Sequence, residues 1–378
     1  MPERRYLSLL AYGALGAIAV ARTAGRGFQE RRYASREPAP AARVDENERP
    51  SAGRRSGDQE AQARQRGRGR RASAPWQIPW AGWKDVFWRV AAKISENRLL
   101  AVAAGVVFYA ILALFPALAA FVSLYGLFAN ASTIDSTLSM LSGVLPGGAM
   151  QILHEQLQRL ASNGSSLSLG FAFGLLIALW SANSGMLAVI DALNVAYDEK
   201  ETRGFVRLYL LSFAFTLGAI AALMLGIGAV VVAPIMLNYV GLGGVANTLV
   251  SALRWPALVA IMIIGLAVLY RDAPNRREPR WAWLSVGSVF ASVVWLAASA
   301  LFSWYIANFG TYNATYGSLG AAVGMMMWMW ISMIVILVGA ELNAEIEHQT
   351  ARDSTVGGDK PMGARGAQKA DTIGAAQS

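Results

Sequence analysis

The sequence predicts an all-α integral membrane protein: a bundle of about six transmembrane helices with an external amphipathic helical hairpin. Three observations carry this. Hydrophobic residues make up 55% of the 378 and charged residues only 15%, where a soluble chain carries about a quarter charged. Six apolar segments recur, at roughly 99–128, 167–196, 206–239, 253–270, 281–309 and 318–340, and most are long enough to cross a hydrocarbon core of about 30 Å. None shows the alternation of a spanning β-strand, and helices are the other way to satisfy every backbone N–H and C=O in lipid.

Charge is divided sharply along the chain. Residues 1–98 hold 20 Lys and Arg against 10 Asp and Glu, and the remaining 280 hold 13 against 14. The net +9 therefore belongs to the N-terminal region. Residues 1–75 read as a basic, largely disordered tail, poor in the large apolar residues that offset ordering entropy. Within it, 6–21 is a short apolar segment. A cleaved export signal there would place the basic tail outside and turn every later loop against the positive-inside rule, so it is disfavoured. A short seventh span and a surface-lying helix both stay open. At 76–98, Trp83, Val86, Phe87, Val90 and Ile94 recur at helical spacing with Lys84, Arg89 and Lys93 between them. This is the pattern of an amphipathic helix lying in the membrane interface.

Residues 99–347 form the predicted six-helix transmembrane domain. Its loops alternate in charge. Lys200, Arg203 and Arg207 mark one loop, and "RDAPNRREPR" at 271–280 holds four arginines. The intervening loops are nearly free of Lys and Arg, with Arg159 alone in 129–166. Both termini are therefore expected in the cytoplasm of a multi-pass protein of the bacterial inner membrane. In 131–166, Ile134, Leu138, Leu141 and Leu145 make one apolar face, and Ile152, Leu153, Leu157 and Leu160 another, about "PGG" at 146–148. This is the external hairpin. Residues 348–378 read as a disordered cytoplasmic tail.

Several residues stand out inside the spans. Pro116 removes a backbone bond in the first and predicts a kink. Ser181, Asn183 and Gly185 in "WSANSG" weaken the second, because Ser and Asn compete for backbone bonds. A kinked helix beside an interrupted one is the broken-helix pattern of transporters. A bend into a cytoplasmic piece is the plainer alternative. Gly218, Ala222 and Gly226 in the third span, and Gly320 and Gly324 in the sixth, recur every four positions and predict close helix packing, with a dimer face as the alternative. Trp328 and Trp330 are expected to fill a groove between helices.

At the inner boundary, polar groups collect: Asp191 and Asn194 at the end of the second span, Arg203 and Arg207 after it, and Glu341, Asn343 and Glu345 in "LVGAELNAEIE" at 337–347. They form the candidate inner-mouth site. Glu341 and Glu345 share a face, and the macrodipole opposes carboxylates at a helix C-terminus, so one of them is expected to pair with Arg203 or Arg207. Glu347 is expected in water. With no cysteine and two isolated histidines, His154 and His348, neither a metal nor another cofactor is expected.

Four passages resemble the YihY/BrkB family of membrane proteins: "AAGVVFYAILALFPAL", "LWSANSGMLAVIDALNVAYDEKETRGF", "YRDAPNRR", and "NATYGSLGAAVGMMMWMWISMIVILVGAELNAEIE". With their spacing they cover about 85–347. The resemblance implies a bacterial cytoplasmic-membrane protein of about six helices, loosely linked to serum resistance and suspected of transport. It offers no established catalytic residues to carry over. The old family label ribonuclease BN is generally regarded as mistaken, and two separated histidines do not fit such a nuclease.

The functional expectation is a transporter or permease of unknown substrate. The alternative is a non-transporting envelope-integrity or membrane-organising protein. The partners expected are the bilayer, anionic lipid at the basic tail, and a second copy of the chain. Nucleic acid is disfavoured for the tail, since its arginines lie beside the membrane.

Overall fold

The computed structural model describes residues 62–128, 169–227, 245–309 and 318–377. The short segment 6–21, most of the 1–75 tail and the external hairpin 131–166 lie outside them. The helices are α1 (Trp80–Glu96), α2 (Leu99–Phe128), α3 (Leu169–Ala196), α4 (Phe205–Ile227), α5 (Val245–Asp272), α6 (Ser285–Phe309), α7 (Ser318–Glu347) and the short α8 (Gln368–Asp371). Among the described residues the sole β pairing is an isolated bridge between Pro279 and Thr355.

Among the described residues, three helical stretches, Phe205–Gly226, Trp281–Asn308 and Ala322–Glu347, are long and apolar enough to cross a membrane. A fourth is added if α1 and the first part of α2, bent by 58°, count as one span. Large apolar side chains along them face outward, among them Leu210, Leu217, Met224, Val293, Leu301 and Met326. Outward apolar surface on this scale needs a partner other than water, and lipid supplies it.

α7 is the central element. It packs on α1, α2, α3 and α6, while α2 and α3 pack along each other. The core gathers Leu99, Val106, Ile190, Leu193, Tyr197, Tyr270, Leu337 and Ala340 at one end of the bundle. A second cluster sets Ala72, Ile78, Val86, Val90 and Trp283 against Leu342 and Ile346. The last two turns of α7 are consequently buried on every face.

Several sequence expectations are corrected. α3 is helical straight through "WSANSG". Its polar groups find partners: Ser184 Oγ donates back to the Trp180 carbonyl of the same helix at 3.2 Å, and inside the bundle Asn183 Oδ1 accepts from Ser212 Oγ of α4 at 2.5 Å. Gly185 is buried against α2, where an added Cβ would make only an ordinary contact, 3.7 Å from the Ala110 backbone. α2 is also continuous across Pro116, which leaves the kink expected there open. The packing stripe is displaced too. Gly218 and Ala222 face outward, and a Cβ at Gly218 would meet nothing within 4 Å. Gly226 and Gly324 make ordinary contacts with Leu258 and Ile306, both at 3.8 Å; Gly320, at the start of α7, is half-buried. The tight crossing lies between α6 and α7, where a Cβ on Gly287 would stand 2.2 Å from the Gly339 carbonyl oxygen, and one on Gly339 would stand 2.7 Å from Ala291 Cβ.

The tails differ as well. Residues 348–377 are not a disordered extension but wrap the end of α7, and 62–75 pack there too. Gly67 and Gly69 take left-handed φ angles of 77° and 83°, so the Arg-Gly alternation makes turns that aim Arg68 and Arg70 inward. α1 carries Asp85 and Arg89 on its buried face with Val86 and Val90, and leaves Trp80, Phe87 and Trp88 exposed on the other. The tryptophans of α7 do fill grooves: Trp328 Nε1 donates to Ser299 of α6 at 3.2 Å, and Trp330 Nε1 to the Leu100 carbonyl of α2 at 2.9 Å.

Replacing Gly287 with Ala is expected to lower stability by about 1–3 kcal/mol through overpacking, while Gly218→Ala changes it by no more than about 0.5 kcal/mol. Thermal unfolding of the two variants in detergent checks the contrast.

Candidate functional site

The acidic end of α7 is a buried site. Glu341, Asn343, Glu345 and Glu347 are each at most 2% exposed. The i, i+4 spacing directs Glu341 and Glu345 toward α1, α2 and the C-terminal segment. Asn343 and Glu347 face α6 and the 271–280 loop.

Glu345 is the most heavily bonded of these groups. One oxygen accepts from Arg89 Nε at 2.6 Å and the other from Lys369 Nζ at 2.5 Å. His348 Nδ1 lies 3.3 Å from the Arg89-bonded oxygen. Arg89 also donates to the Glu345 carbonyl at 3.1 Å and to Gln349 Oε1 at 2.7 Å. Gln349 Nε2 donates to the Arg68 carbonyl at 2.8 Å. Lys369 reaches Asp198 at 3.0 Å. Burial alone would weaken the Lys369 ammonium, but Glu345 and Asp198 more than offset it and hold its pKa above the ordinary lysine value.

Glu347 takes the other direction. It accepts from Arg276 Nη2 at 2.7 Å and from Ser354 Oγ at 2.5 Å. Arg276 lies over the Tyr197 ring, 4.5 Å from its centroid, and its side chain has no exposed surface. Burial opposes that charge; the Glu347 carboxylate outweighs it and raises the guanidinium pKa. Asn343 Oδ1 accepts from the Gly287 N–H at 2.7 Å, satisfying one of the four donors that the first turn of α6 leaves without a partner.

Glu341 stands apart. One oxygen accepts a long bond from Asn97 Nδ2 at 3.3 Å, and the other has no hydrogen-bond partner among the described residues. Asn97 sits at the bend between α1 and α2, next to Arg98 with its left-handed φ of 49°.

The loop residues form a second network. Asn194 donates to Glu201 at 3.0 Å and accepts from the Asn275 N–H at 2.7 Å. Arg203 forks onto both Glu201 oxygens at 2.8 and 2.6 Å and donates to the Ala273 carbonyl at 2.8 Å. Arg207 is exposed and makes no ion pair among the described residues. Asp191 is half-buried on α3.

The expected pairing of Glu341 or Glu345 with Arg203 or Arg207 is therefore corrected. Glu201 lies two residues from Arg203 and captures it, and the counter-ions of Glu345 come from α1 and α8. Glu347 is buried rather than solvated. One overlooked signal was legible: Val86, Arg89, Val90 and Lys93 share one helical face, so Arg89 lies on the apolar stripe of α1. Lys369 and Arg276 carried no such mark, because their burial comes from tertiary folding of segments without periodicity.

Among the described residues, no group of three or more His, Cys, Asp or Glu side chains is arranged to hold a metal. The chain matches the family model described as virulence factor BrkB over residues 90–362. It is 33% identical to the YfkH protein of Bacillus subtilis, named there as ribonuclease-like, over 69% of this chain and 93% of that protein. It is 26% identical to a UPF0761 membrane protein of Laribacter hongkongensis over 71% of this chain and 61% of that one. A UPF0761 membrane protein of Idiomarina loihiensis is 27% identical over 55% of this chain and 71% of its own length. The resemblance drawn from the four sequence passages is thereby borne out. No solved structure matches.

Two outcomes follow from this geometry. Replacing Glu347 with Ala leaves Arg276 buried without its carboxylate and is expected to cost at least about 3 kcal/mol. Removing the exposed Arg280–Asp359 pair (42% and 82% exposed) is expected to change stability by less than about 1 kcal/mol. Denaturant melts of the purified protein separate the two. The second outcome concerns pH. Burial holds the His348 pKa below 6.5 against the pull of Glu345. Below about 6.5 the unfolded chain takes the proton first, so this contribution is full above that pH and is lost as pH falls. The melting temperature of His348→Gln should consequently fall less than that of the parent between about pH 7.5 and 5.5.

Proposed function

Because the chain belongs to the BrkB family of membrane proteins, we propose that it is a transporter or permease, or a component of one. In this reading it sits in the bacterial cytoplasmic membrane with six spans and both termini on the cytoplasmic side. The observation that carries the proposal is Glu341: fully buried, on the central helix, with one carboxylate oxygen unpartnered among the described residues. An acceptor left this way costs about 1–3 kcal/mol, and more when charged. An ionisable group kept at such a cost in a membrane bundle points to an ion or solute path. The buried Asn183–Ser212 hydrogen bond between α3 and α4 is a further polar contact within the bundle. The arginines and Lys369 around α7 then act as a closed inner seal, with Asp198–Lys369 joining two separate segments across it.

The ribonuclease-like name belongs to YfkH and is not carried over. We read this chain as non-enzymatic, because the described polar side chains at the site serve ion pairs and helix ends. A second reading, an envelope-integrity or membrane-organising protein, is favoured by how completely Glu345 and Glu347 are bonded.

Reconstituted in sealed vesicles, the chain is expected to move at least one member of a broad panel of ions and solutes. Glu341→Gln is expected to reduce that flux at least about tenfold without lowering the melting temperature. Folded protein that moves nothing in the panel overturns the transport reading and leaves the organising one.

A further inference from the structure

Beside the buried site lies a cavity of about 500 Å³ where the first turns of α4 meet the 271–280 loop. Its wall includes Arg203, Arg207, Arg271 and Arg276 against two acids, Asp272 and Glu278. Leu210 and Leu211 complete it on the α4 side. Three of the arginines are fixed in place. Arg203 is forked onto Glu201. Arg271 donates to Glu278 at 2.9 Å and stacks on Trp281 at 4.4 Å. Arg276 is held by Glu347 and Tyr197. Anchoring keeps their charge in the wall; Arg276, whose side chain has no exposed surface, contributes its field rather than a direct contact. Arg207 is the unanchored member: exposed, with no ion pair among the described residues.

A cationic wall with one exposed, unpaired guanidinium suits an oxyanion that accepts several hydrogen bonds, and phosphate oxygens match the guanidinium fork. The apolar wall adds a second requirement. Leu210 is 66% exposed and begins an outward track that continues through Leu217, Met224 and Leu225 of α4. A ligand with a phosphate at one end and carbon substituents at the other meets both. We propose that this cavity binds a phosphate ester, with Arg207 closing on the phosphate and the ester's carbon portion lying against Leu210 and Leu211. Two sources carry that chemistry: the headgroup of an anionic phospholipid, whose acyl chains would follow the α4 track, and a soluble organic phosphate. The inference is independent of transport, because either reading of the function accommodates it.

The test uses the full chain in nanodiscs. Retained lipid is counted by native mass spectrometry after assembly in phosphatidylcholine with phosphatidylglycerol added, and glycerol phosphate is titrated into discs of phosphatidylcholine alone. Selective retention of phosphatidylglycerol assigns the lipid source, and saturable binding of glycerol phosphate assigns the soluble one. In either case Arg207→Gln is expected to weaken binding about tenfold, the loss of one charge-assisted contact. Arg280→Gln, which removes the same charge from outside the cavity, should leave binding unchanged. The melting temperature of Arg207→Gln serves as the folding control. Binding of neither probe, or equal weakening by both substitutions, overturns the proposal.

Discussion

The end of α7 depends on Glu345 being clamped between Arg89 and Lys369. These two cations come from opposite ends of the described chain, one on α1 and one on α8, and both converge on a single carboxylate inside a helix buried on all sides. A buried ion pair need not outweigh the cost of desolvating its members. Here a large part of that cost is met by further bonds. Arg89 also bonds the Glu345 carbonyl and Gln349, and Lys369 also bonds Asp198. α1 and the segment after α7 are thereby tied to the bundle.

The same cations resolve an electrostatic conflict. A helix C-terminus carries partial negative charge, and α7 adds three glutamates to it. Arg89, Arg276 and Lys369 oppose that charge by direct ion pairing. Arg70 bonds the Gln349 carbonyl at 3.3 Å, and the Gly374 N–H bonds that of His348 at 2.8 Å, so carbonyls that the helix end leaves free find donors. Within this arrangement Glu341 is the exception. It lies one turn deeper, outside hydrogen-bond reach of the clamp cations, with Asn97 as its sole hydrogen-bond partner among the described residues. The contrast between a saturated Glu345 and an under-bonded Glu341 on the same face is what separates sealing from passage in the proposed function.

The helices and the importance of the α7 end were legible in the sequence because hydrophobic runs and the "ELNAEIE" pattern are local. What was not legible is long-range. "RGRGRR" has the composition of a solvated tail, yet two glycines with positive φ turn its arginines onto Asp85 and onto carbonyls of the C-terminal segment. "WSANSG" has the composition of a break, yet Asn183 finds Ser212 on the next helix and the helix runs on. The Gly287–Gly339 crossing was missed because the two glycines lie on different helices, whereas the periodic Gly218–Ala222 stripe faces outward. In each case composition described what a residue can do alone, and a partner remote in sequence decided what it does.

The Glu345–Lys369 contact closes the clamp, and a double-mutant cycle measures it. Glu345→Gln, Lys369→Met and the double variant would be compared by denaturant unfolding in detergent. A coupling energy of about 2 kcal/mol or more is predicted, as expected of a desolvated pair in one network. Effects that add to within about 0.5 kcal/mol would contradict the clamp and place the C-terminal segment outside the folded core.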